Sequence, residues 1–354
     1  MLNKGGQVTI FIIVAIIIVA SIGAYFVFRD SISTQPIPSS LEPVYTAFLT
    51  CVEDKALTGI DILESQGGYI ELPEFEPGSR YMPFSSQLDF LGNPIPYWYY
   101  VSGNNIQKEQ VPSKGFMQNQ LGEFVASRSQ ACDFSGYYEQ GFEISFQDEG
   151  SGKVVIKEDE VELDLSIDLV ITKNEDTVLI KDHKVVVSSN LGKLYDNAKE
   201  VYDYEQTTLF LENYAVDNLR NYAPVDGVEI SCSPQVWNAE EVFDELEEGI
   251  EVNTLALRAR TNDFKLVNKE NEYFIVDLPV DSDVEVKFLN SRNWANGFEV
   301  NPSQGPVMIS EPVGNQQGLG ILGFCYVPYH YVYNLRYPVL IQVSSGSGFE
   351  DEVF

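Results

Sequence analysis

Few side chains in this chain are placed to do chemistry. It has only two histidines, His183 and His330. Neither has neighbours that suggest a metal site or a Ser/His/Asp arrangement, so acid–base and nucleophilic hydrolysis have little to work with. Residues 318–323, GLGILG, match G-x-G-x-x-G. A dinucleotide site also needs a helix after the glycines and an acidic residue about 20 positions on. Here Cys325, Pro328 and a tyrosine-rich strand follow. The carboxylates Glu158, Asp159, Glu160, Glu162, Asp164 and Asp168 invite a calcium site. No Asp-rich loop with a glycine turn accompanies them, and alternate carboxylates on a strand stand about 6.5–7 Å apart, too far for one ion. They read as a solvated sheet face. Asp281 and Asp283, in the loop VDSDVEV, are the better cation candidates. No catalytic residue, metal site or cofactor is assigned.

The cysteines point to cross-linking. Cys51, Cys132, Cys232 and Cys325 are dispersed, with no close pair, which excludes zinc ribbons and dithiol redox motifs. Four such residues suggest two disulfides in an oxidising compartment. Of the three pairings, Cys51–Cys132 with Cys232–Cys325 is favoured, because each then closes within one half of the chain. Aromatic residues supply the second recognition chemistry. Tyr97, Trp98, Tyr99 and Tyr100 form one cluster, and Tyr329, Tyr331 and Tyr333 alternate in another. Alternate tyrosines on one strand face can stack on sugars or on a partner, and sheet packing competes for the same residues. They are the sequence's best contact surface. With 22 Lys+Arg against 53 Asp+Glu, the net charge is −31. That repels nucleic acid and anionic lipid head groups, so no nucleic-acid partner is expected.

These groups must be positioned by the elements around them, and the first element is apolar. Residues 8–28 form a 21-residue run without charge or proline. As a helix it spans about 31 Å, close to the hydrocarbon thickness of a bilayer. Lys4 and the amine before it, against Arg29 beside Asp30 after it, set the N-terminus inside and the bulk outside. A cleaved signal would have a shorter apolar core, although Ser21-Ile22-Gly23 offers a release site at Gly23–Ala24. The preceding Lys4-Gly5-Gly6-Gln7 resembles the class III processing site of archaeal prepilins. The resemblance implies a prepilin peptidase-like protease as partner, a cut between Gly6 and Gln7, and an apolar helix retained for self-assembly. It departs from many such proteins at the fifth mature position, where Phe11 replaces a glutamate. Through the stretches CVEDKALTGIDILESQGGYIELP and LRYPVLIQV, the rest resembles uncharacterised membrane-anchored surface proteins of archaea, which carries no activity over.

The remaining pattern predicts an α+β fold: an N-terminal transmembrane helix, then an ectodomain of antiparallel sheets packed with amphipathic helices. Residues 1–30 form the signal and anchor, and 31–40 a Ser/Pro spacer. A first lobe covers 41–223 and a second 224–354. Helices are expected over 41–66, 116–131, 190–222 and 238–260. The 190–222 helix should bend near Tyr202-Asp203. YIELPEF, 264–268, 272–278, 283–289 and 324–343 read as strands. Val161, Leu163, Leu165, Ile167, Leu169 and Ile171 alternate with polar residues, as a half-buried strand does. A turn at 173–176 would return the chain over 178–187, setting Asp168 opposite Lys181 and Ser166 opposite His183. After YPVLIQV and a turn, a return strand would start at Val353-Phe354, which suggests a truncated reading frame. The function expected is a single-pass membrane-anchored extracellular structural or adhesive protein of pilin-like type. The alternative is a tethered binding protein using its tyrosines, with an extracellular enzyme third.

Overall fold

The computed structural model describes residues 37–260, 269–314, 325–345 and 354. The expected anchor 8–28, the Gly6–Gln7 bond, most of the spacer, GLGILG, the 264–268 strand and Val353 lie outside them. Among the described residues no helix is long and apolar enough to cross a membrane.

The chain opens with α1 (Glu42–Ser65), two hairpins β1 (Gln87–Phe90)/β2 (Asn93–Pro96) and β3 (Tyr99–Val101)/β4 (Gln107–Glu109), then α2 (Lys114–Ser129) and the single turn α3 (Ser135–Tyr138). Strands β5 (Glu143–Phe146), β6 (Ser151–Ile156), β7 (Glu160–Lys173) and β8 (Asp176–Ser188) follow, then α4 (Leu191–Thr208) and α5 (Phe210–Tyr222). The rest comprises β9 (Asp226–Glu229), β10 (Gln235–Asn238), α6 (Ala239–Ala256), β11 (Arg258–Ala259), a 3-10 turn Lys269–Phe274, β12 (Ile275–Val276), β13 (Val284–Leu289), β14 (Gly297–Asn301), β15 (Val307–Ser310), β16 (Val327–His330), β17 (Val332–Arg336) and β18 (Leu340–Ser345). The architecture is α+β with several antiparallel sheets; among the described residues only β11 and β12 pair in parallel.

The central sheet is built on β7. β5 and β6 pair with successive parts of it, and β8 runs along it as the hairpin return. All six alternating residues from Val161 to Ile171 are buried. The register holds as expected near the turn, from Lys173↔Asp176 to Leu169↔Ile180. Beyond that a bulge places Ile167 and Asp168 of β7 against Lys181 alone. Lys181 Nζ still reaches Asp168 Oδ2 at 3.0 Å. Ser166, however, faces Asp182, and its hydroxyl donates to that carboxylate at 3.0 Å. The inward residues of β8 therefore switch from Val178 and Ile180 to His183, Val185 and Val187, because one extra residue on one strand inverts the facing parity of the other.

α1 lays Val44, Phe48, Val52, Ala56, Ile60 and Leu63, all at most 2 % exposed, onto β8 and α2. Three-to-four spacing makes this a continuous stripe. α2 begins at Ser113, whose hydroxyl accepts from Phe116 N. It crosses β6 with Gly122 against Gly152, where an added Cβ on Gly122 would lie 2.3 Å from the Gly152 carbonyl. Expected strand YIELPEF is not a strand. The amide of Gln120 takes its hydrogen bonds instead, accepting from Ile70 N at 2.8 Å and donating to Glu71 O at 3.1 Å. The 190–222 helix breaks at Leu209 (φ 54°), not near Tyr202, giving α4 and α5. The expected strand 272–278 is mostly the 3-10 turn and keeps only β12.

The larger core takes residues from 41 to 210 and again from 257 to 343, and includes Phe354. The expected lobe boundary at 223/224 falls between α5 and β9. A second, smaller core forms from Ala239, Val242 and Leu246 of α6 with Val300, Met308 and Tyr331. Both disulfides pair as favoured, Cys51–Cys132 and Cys232–Cys325.

Candidate contact surface

The tyrosine clusters face inward more than outward. Tyr100 and Tyr331 are buried, Tyr97, Trp98, Tyr329 and Tyr333 are half-buried, and only Tyr99 is exposed. Trp98 donates from Nε1 to Gly67 O at 2.9 Å and packs on Tyr195, Tyr202 and Phe354. Tyr329 and Tyr331 both pack on Trp237. The Tyr331 hydroxyl meets Ser310 Oγ at 2.9 Å, and Tyr333 donates to Pro224 O. Within the chain most of these rings take part in packing, with Tyr100 and Tyr331 buried and Tyr99 left at the surface.

The acidic candidates are engaged by the chain itself. Lys157 bridges Glu160 and Glu162, and Lys184 approaches Asp164. Asp283 binds Lys193 at 2.6 Å, and Asp281 Oδ2 accepts from Asn197 Nδ2. These two carboxylates thus fasten the 278–283 loop to α4. Among the described residues, no three His, Cys, Asp or Glu side chains converge to hold a metal.

The two histidines differ sharply. His330 is a surface residue whose Nδ1 lies 3.7 Å from Asp226 across the β9–β16 ladder. His183 is fully buried, its ring edge-on to Phe48 with centroids 4.8 Å apart. Its Nε2–H donates to the carbonyl of Ile167 at 2.9 Å, the very residue made unpaired by the bulge. Burial pushes its pKa down and keeps the ring neutral. The ring thus satisfies the backbone at the bulge.

Glu205 is the strongest perturbed acid. It sits at the α4–α5 break and is nearly buried. Its carboxylate accepts from Leu211 N at 3.2 Å, so it caps α5. Burial, then its hydrogen bond with Glu212, raises its pKa to about 8. Neutral Glu205 donates to Glu212, while ionising it puts two carboxylates side by side. A raised native pKa means the folded chain keeps a proton that the unfolded chain gives up. The resulting stability is complete below the ordinary 4.5 and is lost as pH rises to about 8. His183 contributes no slope above its ordinary 6.5. The melting temperature is therefore expected to fall between about pH 6.5 and about pH 8.5, and Glu205→Gln to flatten that fall, in a scan of both proteins across the window. Parallel slopes for the two would contradict the assignment.

The surface that sequence reading missed is apolar. Ribbons β9–β16 and β10–β15 turn Tyr329, Trp237 and Met308 into the small core. Their other faces carry the cross-strand pairs Val228↔Pro328 and Val236↔Ile309. Val228, Ile230 and Val236 are 63 %, 83 % and 59 % exposed, and Val313 is exposed beside them in sequence to β15. The available signal was the i, i+2 spacing of Val228 and Ile230 in a stretch without basic residues. No family model matches the chain, and no curated protein or solved structure does.

Proposed function

We propose that the chain is a single-pass membrane-anchored surface protein with a structural or adhesive role, a pilin-like subunit whose acidic ectodomain lies outside the cell. The observation that carries this reading is the pair of disulfides, closing spans of 81 and 93 residues, behind a 21-residue uncharged apolar run. Disulfides persist in oxidising compartments, and such a run is long enough to carry the chain into one. The packing of α1 supports it as well. This helix starts directly after the spacer, and Leu41 before it is already buried in the core, so a tether at 8–28 would join the ectodomain at a well-packed helix. Prepilin-like processing would cut Gly6–Gln7 and leave Phe11 fifth on the assembling helix. The tyrosine-recognition reading has less support, because most of those rings are spent in packing. Intact-mass measurement of the unreduced chain recovered from membranes tests the proposal through the N-terminus it carries.

A further inference from the structure

The distal ribbons expose branched apolar side chains that contribute nothing to the core beneath them. Isolated exposed valines are ordinary, but several on adjacent ribbons mark a contact surface. Their electrostatic setting is one-sided. Residues 221–257 and 293–335, which supply both ribbons and α6, contain no Lys or Arg. They contain eleven carboxylates, nine in the first stretch and two, Glu299 and Glu311, in the second. Seven of the nine lie on α6, which packs against the inward side of the ribbons, so the charge beside the exposed valines comes from the ribbons' own Asp226 and Glu229. Asp226, two residues before Val228, and Glu229, next to it, are exposed.

We propose that this face docks a partner protein whose own contact surface is apolar at its centre and rimmed by Lys and Arg. Charge selects among the occupants. A second copy of the chain would bring the same carboxylates against these, and like charges across an interface oppose association. Nucleic acid and anionic lipid are repelled for the same reason. A cationic protein is attracted at long range and then gains by covering Val228, Ile230, Val236 and Ile309. The Cys232–Cys325 disulfide ties the β9–β10 connection to the chain two residues before β16, so both ribbons are held before binding, which lowers the entropic cost of docking. The inference stands on these ribbons alone, independent of how the chain meets a membrane.

The test uses the full chain, in zwitterionic-lipid nanodiscs with empty nanodiscs as blank if it is recovered from membranes, and free in buffer if it is recovered in solution. The probes are a designed Lys/Leu amphipathic peptide, a lysine homopolymer of equal charge, and a Glu/Leu peptide. The Lys/Leu peptide should bind at low salt and weaken as salt is added, and the Glu/Leu peptide should not bind. The double variant Val228→Ser/Val236→Ser should weaken the Lys/Leu peptide at least tenfold through the loss of two covered valines, and leave the homopolymer unchanged. Equal binding of the Lys/Leu peptide and the homopolymer, unaltered in the variant, would overturn the proposal. So would wild-type self-association that the variant abolishes, which gives the face to a second copy. A fall of several degrees in the variant's melting temperature would give it to packing within the chain.

Discussion

Phe48→Ala is expected to destabilise the chain by about 3–5 kcal/mol. Phe48 has no exposed surface and lies on the inward stripe of α1. Its ring meets three others from three elements: Phe134 before α3 at 6.5 Å, Phe146 of β5 at 5.8 Å and His183 of β8 at 4.8 Å. Truncation removes the transfer free energy of the ring and leaves a void. The walls cannot close on it together, because α1 is tied by Cys51 and the sheet by its ladders. His183 also loses its aromatic edge contact while its Nε2–H remains committed to Ile167. Urea denaturation of Phe48→Ala beside Leu57→Ala checks this, since Leu57 lies on the same helix at 40 % exposure. The exposed change should stay within about 0.5 kcal/mol. Equal midpoints for the two would contradict the packing described.

Removing the Cys51–Cys132 bond, as Cys51→Ala/Cys132→Ala, is expected to cost about 2–4 kcal/mol. The bond closes 81 residues, and a loop of that length loses much entropy in the unfolded chain when cross-linked. Its ends lie on α1 and just beyond α2, two helices that pack on each other and on one sheet. The native state therefore gains little freedom when the bond is cut, and the penalty falls on the unfolded side. Comparing midpoints of the double variant and the wild-type chain, each mapped without reduction, measures it. An unchanged midpoint, or four free thiols in the wild-type map, would contradict both the energetics and the oxidising compartment.

Much of this fold was legible because its signals are periodic and local. The stripe of α1, the alternation of β7 and the Asn238 start of α6 rest on neighbours within a turn or two. The disulfide pairs followed from keeping each bond within one half of the chain. What escaped depends on partners distant in sequence. The bulge at Ile167 adds one residue to one strand, and nothing in the alternation of β7 reveals it, because the parity change appears on β8. YIELPEF alternates as a strand should, yet Gln120, about 50 residues away, occupies the backbone groups a neighbouring strand would need. The α4–α5 break falls at Leu209, a residue type that seldom adopts a left-handed backbone, with Glu205 capping the new helix. The tyrosines were visible, but their orientation was not, and the exposure of the ribbon valines appears only once both ribbons are paired.

The most direct measurement on the central claim is the intact mass of the unreduced chain from isolated membranes. Surface anchoring with prepilin-like processing predicts a membrane-bound species lacking residues 1–6, beginning at Gln7 and carrying two disulfides. Recovery of the chain only in the soluble fraction, cut at Gly23–Ala24, would contradict the anchor, and a membrane species that retains Met1 to Gly6 would contradict the processing.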